Sequence, residues 1–319
     1  MNALHREPAV RVAGLRKAFG SKVVLEGIDL EIAEGTVFAL LGPNGAGKTT
    51  TVQILSTLIR ADAGVMHVAG FDVSADPGNV RRAIGVTGQF SAVDYMLSGR
   101  ENLLLMADLH HLDRQTGRRR VDELLDRFDL VEAAGQMTLK YSGGMRRRLD
   151  LAMTLLGDPR IIFLDEPTTG LDPRSRHTMW QITRELVAGG VTILLTTQNL
   201  EEADQLADRI AVLDKGHLVA EGTPDQLKQR IPGGTVLLHF REPGARTSAA
   251  ALLGRESVAD DALVLEISTD GTPQSLRALL DRLDENGLEV ERVSVQTPDL
   301  DDVFFALTGA PHQAAEATT

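Results

Sequence analysis

Gly42-Pro43-Asn44-Gly45-Ala46-Gly47-Lys48-Thr49 carries two glycines, a lysine and a hydroxyl residue at the offsets of a phosphate-binding loop. Its surroundings agree with that reading. Val37-Phe38-Ala39-Leu40-Leu41 before it is a short apolar run of the buried-strand type, and residues 50–58 after it read as a helix. A strand, a glycine-rich turn and a helix start gather backbone N–H groups and the positive end of a helix dipole at one point, which suits a polyphosphate. Glycine lets the main chain curl close to the phosphate oxygens. Lys48 is placed to reach the β- and γ-phosphates, and the Thr49 hydroxyl to ligate Mg²⁺.

Outward from the loop, strands and helices alternate. Residues 10–15 and 23–32 predict an antiparallel pair turning at Phe19-Gly20-Ser21. Further strands are predicted at 65–70, 84–87, 161–164 and 191–197, with a hairpin at 210–213 and 217–220 around Asp214-Lys215-Gly216. Helical spacing governs 80–83, the long insertion 99–131, then 145–156, 179–187 and 200–207. Such alternation predicts an α/β fold with a mainly parallel sheet and helices on its faces. Pro232-Gly233-Gly234 reads as a linker. Beyond it, strands near 235–240, 262–267 and 288–295 and helices near 247–253, 273–286 and 300–307 predict a small α+β domain. The expected organisation is a first domain over 1–230 with a helical insertion at about 92–158, an accessory domain over 231–309, and a disordered Ala/Thr/Gln-rich tail over 310–319.

Composition narrows the classes. The 319 residues leave room for one large core and one small one. A net charge of −12 is a poor match to a nucleic-acid binder, and no nucleic-acid partner is expected. With no cysteine, disulfide and thiolate chemistry are excluded. No 18-residue apolar run and no signal-like N-terminus are seen, so any membrane role is expected to come through a partner. Arg118-Arg119-Arg120 reads as a solvated helix face. The eight histidines, His110-His111 among them, show no metal-ligand spacing. Asp299, Asp301 and Asp302 read as an acidic helix start in preference to a metal cluster.

Two further stretches bear on chemistry. Asp165-Glu166 ends the apolar strand Ile161-Ile162-Phe163-Leu164. A carboxylate pair at the C-terminal end of a buried parallel strand lies beside the phosphate loop in this architecture. Asp165 is placed to hold Mg²⁺ through water, and Glu166 to polarise the water that attacks a γ-phosphate. For the pair alone, the alternative is a cap on the turn before Pro167. Ser142-Gly143-Gly144 at a helix start is a second, smaller anion site. One chain has no evident internal use for both, so this corner is expected to close on nucleotide held by another subunit.

In this order, the phosphate loop, Gln89, Ser142-Gly143-Gly144, Asp165-Glu166 and Gly170-Leu171-Asp172 resemble the ATP-binding cassette of ABC transporters, over roughly residues 8 to 230. Within it, Tyr141-Ser142-Gly143-Gly144-Met145-Arg146-Arg147-Arg148-Leu149-Asp150 is similar to the separate ATPase subunits of daunorubicin/doxorubicin-resistance exporters. So are Leu195-Thr196-Thr197-Gln198-Asn199-Leu200-Glu201-Glu202-Ala203-Asp204 and Pro298-Asp299-Leu300-Asp301-Asp302-Val303-Phe304. The resemblance implies a P-loop NTPase fold, with antiparallel β and helical subdomains added to the parallel core. It implies ATP and Mg²⁺ as cofactors, a head-to-tail homodimer of cassettes, a separately encoded integral membrane permease, and a peripheral place on the cytoplasmic side of the cell membrane. The activity implied is ATP hydrolysis driving export of a hydrophobic drug. Lipid, polysaccharide or haem cargo is the alternative, as is a soluble cassette ATPase acting on ribosomes or DNA. A single cassette and the lack of a long coiled-coil insertion count against the soluble class.

Roles carry over by position. Gly42, Pro43, Asn44, Gly45, Ala46, Gly47, Lys48, Thr49 and Thr50 match the nucleotide loop. Phe19 matches the aromatic that stacks on adenine, its alternative being a hairpin core residue. Thr49, Gln89 and Asp165 match the Mg²⁺ ligands, and Glu166, Gln89 and Gln198 the groups around the attacking water and γ-phosphate. Residues 90–95 are expected to face the membrane partner. Ser142, Gly143, Gly144 and Asp172 match groups that cross to the other copy, and Arg146-Arg147-Arg148 is expected to help attract ATP. Two departures stand out. Tyr141 and Met145 bracket the signature where leucine and glutamine are usual, with the serine and glycines kept. Gln198 replaces the usual histidine; it can donate a neutral hydrogen bond but carries no positive charge, so slow but real hydrolysis is expected.

Overall fold

The computed structural model describes residues 7–88, 92–230, 234–253, 263–269, 272–296 and 299–308. The chain divides into two compact units, Met1–Pro224 and Asp225–Thr319. The elements run β1 (Val10–Phe19), β2 (Lys22–Ile32), β3 (Val37–Leu41), α1 (Lys48–Leu55), β4 (Ala63–Val68), β5 (Phe71–Asp72), α2 (Pro77–Ala83) and β6 (Ile84–Thr87). Then come α3 (Gly99–Leu109), α4 (Arg114–Arg127), α5 (Gly143–Thr154), β7 (Ile161–Asp165), α6 (Pro173–Ala188), β8 (Thr192–Thr197), α7 (Leu200–Leu206), β9 (Arg209–Asp214), β10 (His217–Gly222) and α8 (Pro224–Lys228). The chain continues with β11 (Gly234–His239), α9 (Pro243–Leu253), β12 (Val264–Thr269), α10 (Pro273–Asp284), β13 (Arg292–Gln296) and α11 (Leu300–Thr308).

The central sheet has the order β10-β9-β3-β8-β7-β6. β3 pairs parallel with β8 and β9, β7 with β8 and β6, and only β10 is antiparallel. Every residue of β3, β7 and β8 is buried, which is why their sequences are mainly apolar and not alternating. The second sheet, β2-β1-β4-β5, is wholly antiparallel. Its Leu15, Leu25, Ile28 and Met66 share one apolar cluster with Phe38, Leu40, Phe163, Leu194 and Leu213 of the central sheet. Apolar burial thus locks the two sheets together around α1.

The predicted helical stretch 99–131 is two helices. His111 takes a left-handed φ of 56°, and Asp113 caps α4 by accepting the Gln115 and Thr116 N–H groups. α3 starts at a capping box between Ser98 and Glu101. β5 and α8 are too short to have left a periodic signal in the sequence.

In the second unit β11 lies between β12 and β13, antiparallel to both. Its Val236 and Leu238, with the following Phe240, pack with Ala249, Leu265, Ile267 and Leu283. Asp299 and Asp302 each accept the other's backbone N–H, at 2.9 and 3.0 Å, as a helix start does. Among the described residues no group of histidine or acidic side chains is placed to hold a metal by itself, and no helix is long and apolar enough to cross a membrane. Residues 231–233 and 309–319 lie outside the described residues.

Leu194 is fully buried in the cluster that joins the two sheets. Leu194→Ala is expected to lower stability by about 3 kcal/mol, read as a lower guanidinium midpoint followed by circular dichroism.

Candidate nucleotide site

The loop after β3 is shaped by what surrounds it. A methyl group on Gly42 would sit 2.2 Å from the Leu213 carbonyl oxygen of β9, so no side chain fits there. Gly47 has φ +115°, and a methyl group on it would meet Leu25 of β2 at 2.5 Å. Gly42 N–H donates to Thr197 O at 3.3 Å, and Gly216 N–H donates to Ala46 O at 3.2 Å. The β9–β10 turn, which reads in sequence only as a hairpin, is thus a prop for the loop. Gly47 caps α1 without a side chain, so the first-turn N–H groups of Lys48, Thr49 and Thr50 are left for a ligand. The first intrahelical bond runs from Thr51 N–H to Gly47 O.

Lys48 folds back over this loop and donates to the Gly42 and Pro43 carbonyls at 2.8 and 3.2 Å. Its Nζ stands 3.4 Å from Glu166 Oε1, with both side chains nearly buried. Burial pulls the ammonium below the ordinary lysine value, against the attraction of Glu166 and Asp165. Asp165 is buried at the end of β7. Its Oδ1 accepts from Thr49 Oγ1 at 3.2 Å and from the Thr196 hydroxyl of β8. Thr196 also receives Glu166 N–H, at 3.0 Å on its carbonyl and 3.2 Å on its hydroxyl. Glu166 takes a left-handed φ of 48°, a strained setting for a side chain other than glycine. Thr169 donates to Glu166 Oε2 at 3.3 Å. The sequence reading passed over Thr196 and Thr169, because hydroxyls inside an apolar strand or after a proline carry no pattern of their own.

Ser142 caps α5, its Oγ accepting Met145 N–H at 3.2 Å. Ser142 and Gly143 are exposed, and Gly144 is buried where a methyl group would lie 2.4 Å from Ser175 Oγ. Among the described residues no hydrogen bond joins 142–144 to the loop 42–50. Asp172 caps α6; Ser175 donates to it from Oγ at 2.6 Å and from N–H at 3.0 Å, and these bonds hold its carboxyl below the usual range. Phe19 closes β1 and is 52% exposed, so the core-residue alternative fails. Lys17 Nζ stands 5.2 Å from its ring centre. Gln198 is exposed just beyond β8. Gln89 and the first residues of the loop 90–95 lie outside the described residues.

One expectation is corrected. Arg147 does not reach toward nucleotide; it is buried and donates to Pro167 O, Gly88 O and Asp165 O at 2.9, 2.8 and 3.1 Å. Arg148 donates to Phe128 O at 2.8 Å and pairs with Asp129 at 3.0 Å. Arg146 donates to Tyr141 O and lies over the Tyr95 ring at 5.9 Å. The triplet is internal scaffolding, because each guanidinium finds backbone carbonyls close by. Tyr141 has a structural role as well: its buried hydroxyl donates to Ala133 O at 2.7 Å.

Comparison with known proteins fits this geometry. Residues 25–169 match the ABC transporter family, and residues 222–308 match the C-terminal domain of ATP-binding proteins of the DrrA1-3-like type. The daunorubicin resistance ATP-binding protein DrrA3 of Streptomyces coeruleorubidus is 49% identical over 313 residues, 98% of this chain and 99% of that one. The Nod factor export ATP-binding protein I of Ralstonia nicotianae is 37% identical over 305 residues, 95% of this chain and 94% of that one. A solved structure of an ATP-binding subunit of an ABC transporter is 28% identical with a TM-score of 0.63, and it covers 70% of this chain and 92% of its own.

Arg147→Met removes the donor to three backbone carbonyls and the guanidinium 3.5 Å from Asp150. It is expected to cost about 3 kcal/mol of stability, against less than about 1 kcal/mol for Arg148→Met, whose Asp129 partner is exposed. Guanidinium unfolding of the two variants beside the parent chain measures the difference.

Proposed function

This chain belongs to the ATP-binding proteins of ABC transporters, in the daunorubicin-resistance branch, and from that premise we propose that it works as a homodimer on the cytoplasmic face of the cell membrane, driving export of a hydrophobic drug through a separate permease subunit. One observation carries the catalytic reading: Lys48 and Thr49 at the start of α1 and Asp165 and Glu166 at the end of β7 meet within 3.4 Å contacts at one edge of the sheet. In this reading residues 1–230 form the engine and 231–309 an accessory domain.

Residues 42–50 bind the phosphates through their N–H groups and Lys48, whose bonds to Gly42 and Pro43 give way to phosphate oxygens. Phe19 stacks on the adenine. Thr49 and Asp165 offer hard oxygens 3.2 Å apart, a donor set that fits Mg²⁺, with Gln89 proposed as the third group. When bound, Mg²⁺ supplies positive charge against the β- and γ-phosphates. Glu166 aims the attacking water, and its strained backbone and the Thr169 hydroxyl hold it to one orientation. Gln198 donates to the γ-phosphate without adding charge. The exposed Ser142, Gly143 and Asp172 of a second copy complete each site, which makes the grip dependent on the γ-phosphate and gives ATP and ADP different affinities for the closed dimer.

A second reading of the cargo, some other exported compound, draws on the Nod factor export relative. The higher identity to the daunorubicin resistance protein, 49% against 37%, favours the drug.

Lys48→Ala is expected to weaken MgATP binding roughly a hundredfold, measured by equilibrium dialysis. Glu166→Gln is expected to slow turnover about a hundredfold and to accumulate an ATP-bound dimer in light scattering; a purely monomeric variant in MgATP contradicts the proposal. Gln198→His is expected to hydrolyse ATP at least as fast as the parent, and a clear loss refutes the positioning role of Gln198. Copurification with the membrane subunit, followed by drug-stimulated ATPase, tests the cargo.

A further inference from the structure

Glu202 is a carboxylate inside the cassette that the reaction above does not use. It sits in the first turn of α7, three residues after the N-cap Asn199 and four after Gln198, and it is 1% exposed. Its Oε1 accepts the indole N–H of Trp180 on α6 at 3.2 Å. Its backbone N–H donates to Asn199 Oδ1 at 3.3 Å, and Asn199 N–H donates to Thr197 Oγ1 at 2.9 Å. The segment that displays Gln198 is thereby pinned at both ends. On the other side, α6 begins at Asp172, and Trp180 lies eight residues on, about 12 Å along the axis. Arg176 of α6 pairs with Glu201 at 3.3 Å. Burial pushes the Glu202 carboxyl up, against the Thr197 and Thr168 hydroxyls, the Trp180 N–H and the Arg176 charge that surround it.

The junction also has slack. Glu202 Oε2 and Arg176 Nε are both buried without a hydrogen-bond partner, one acceptor and one donor on facing helices. Unsatisfied buried groups of opposite kind favour a rearrangement that pairs them. Through Thr168 the same carboxylate adjoins the segment whose Thr169 holds Glu166.

We propose that Glu202 is a positioning residue that ties the start of α7 to α6, so that Gln198 and Asp172 shift as one body when nucleotide is gripped. The inference rests on those two residues facing nucleotide, one in its own site and one across the dimer.

Trp180 is the sole tryptophan of the chain, so its emission reports on this junction directly. Glu202→Leu, Glu202→Gln and Trp180→Phe, made in the full chain, are to be compared in MgATPase kinetics and in affinity for a trinitrophenyl ATP analogue; the two Glu202 variants are also compared in Trp180 emission with and without MgATP. Glu202→Leu is expected to lose about tenfold in kcat with analogue affinity within about threefold of the parent, and to lose the MgATP-induced emission change. Glu202→Gln, which keeps an oxygen for the indole, is expected to stay within about threefold in kcat, and Trp180→Phe to fall in the same direction as the leucine variant. The proposal is overturned by parental turnover in Glu202→Leu, by an equal fall in Glu202→Gln, by kcat and affinity collapsing together, or by a parent emission that ignores MgATP. Failure of the underlying reading looks different: Lys48→Ala then keeps its analogue affinity, whereas failure of the tie alone leaves Lys48→Ala defective.

Discussion

The site depends on one pairing, β8 hydrogen-bonded between β3 and β7. Parallel register sets Leu41 opposite Thr197 and Thr196 opposite Asp165, so the phosphate loop and the carboxylate pair leave the sheet at the same edge with a single strand between them. That strand contributes the Thr196 hydroxyl, with Leu40 opposite on one side and Asp165 on the other. Thr196 is fully buried, yet it is satisfied on both sides by Asp165 and Glu166 N–H. A buried polar group in this position is tolerable only because its partners are complete. The same bonds orient the Asp165 carboxylate and fix the turn that presents Glu166.

Around that pairing, the protein concentrates conformations that are costly elsewhere. Glu166 is left-handed, Gly42 and Gly47 admit no side chain, and Lys48 keeps a cation nearly out of water. The remainder of the cassette compensates. Burial across the two sheets supplies the bulk of the stabilisation, and Arg147 fastens α5 to the ends of β6 and β7 through three carbonyls. One guanidinium thus joins the helix behind the exposed Ser142 to the strands that carry the carboxylates. The link between that helix and Asp165 is the bond from Arg147 to the Asp165 carbonyl.

Much of this arrangement was legible in the residues. The phosphate loop was recognisable because its glycines, lysine and threonine stand between an apolar strand and a helix, and Asp165-Glu166 because a carboxylate pair ends an apolar run. Phe19 was placed at a hairpin end, and its exposure follows from that place. The break between α3 and α4 was missed although apolar spacing lapses between Leu109 and Val121; the stop is made by the His111 backbone and the Asp113 cap. Arg147 was misread because a basic run looks the same in sequence whether it meets water or carbonyls. Gly216 and Thr196 were missed for a related reason: they act through hydrogen bonds to residues far away in the chain, which no local pattern records.

The central claim is that the loop 42–50 of one copy and the Ser142-Gly143-Gly144 corner of another grip the same triphosphate. A crystal structure of the parent chain with Mg²⁺ and a non-hydrolysable ATP analogue tests it most directly. The account predicts a two-fold dimer in which each γ-phosphate lies between Lys48 of one copy and Ser142 of its partner. A γ-phosphate covered only by its own chain, with Ser142 facing water, would contradict it.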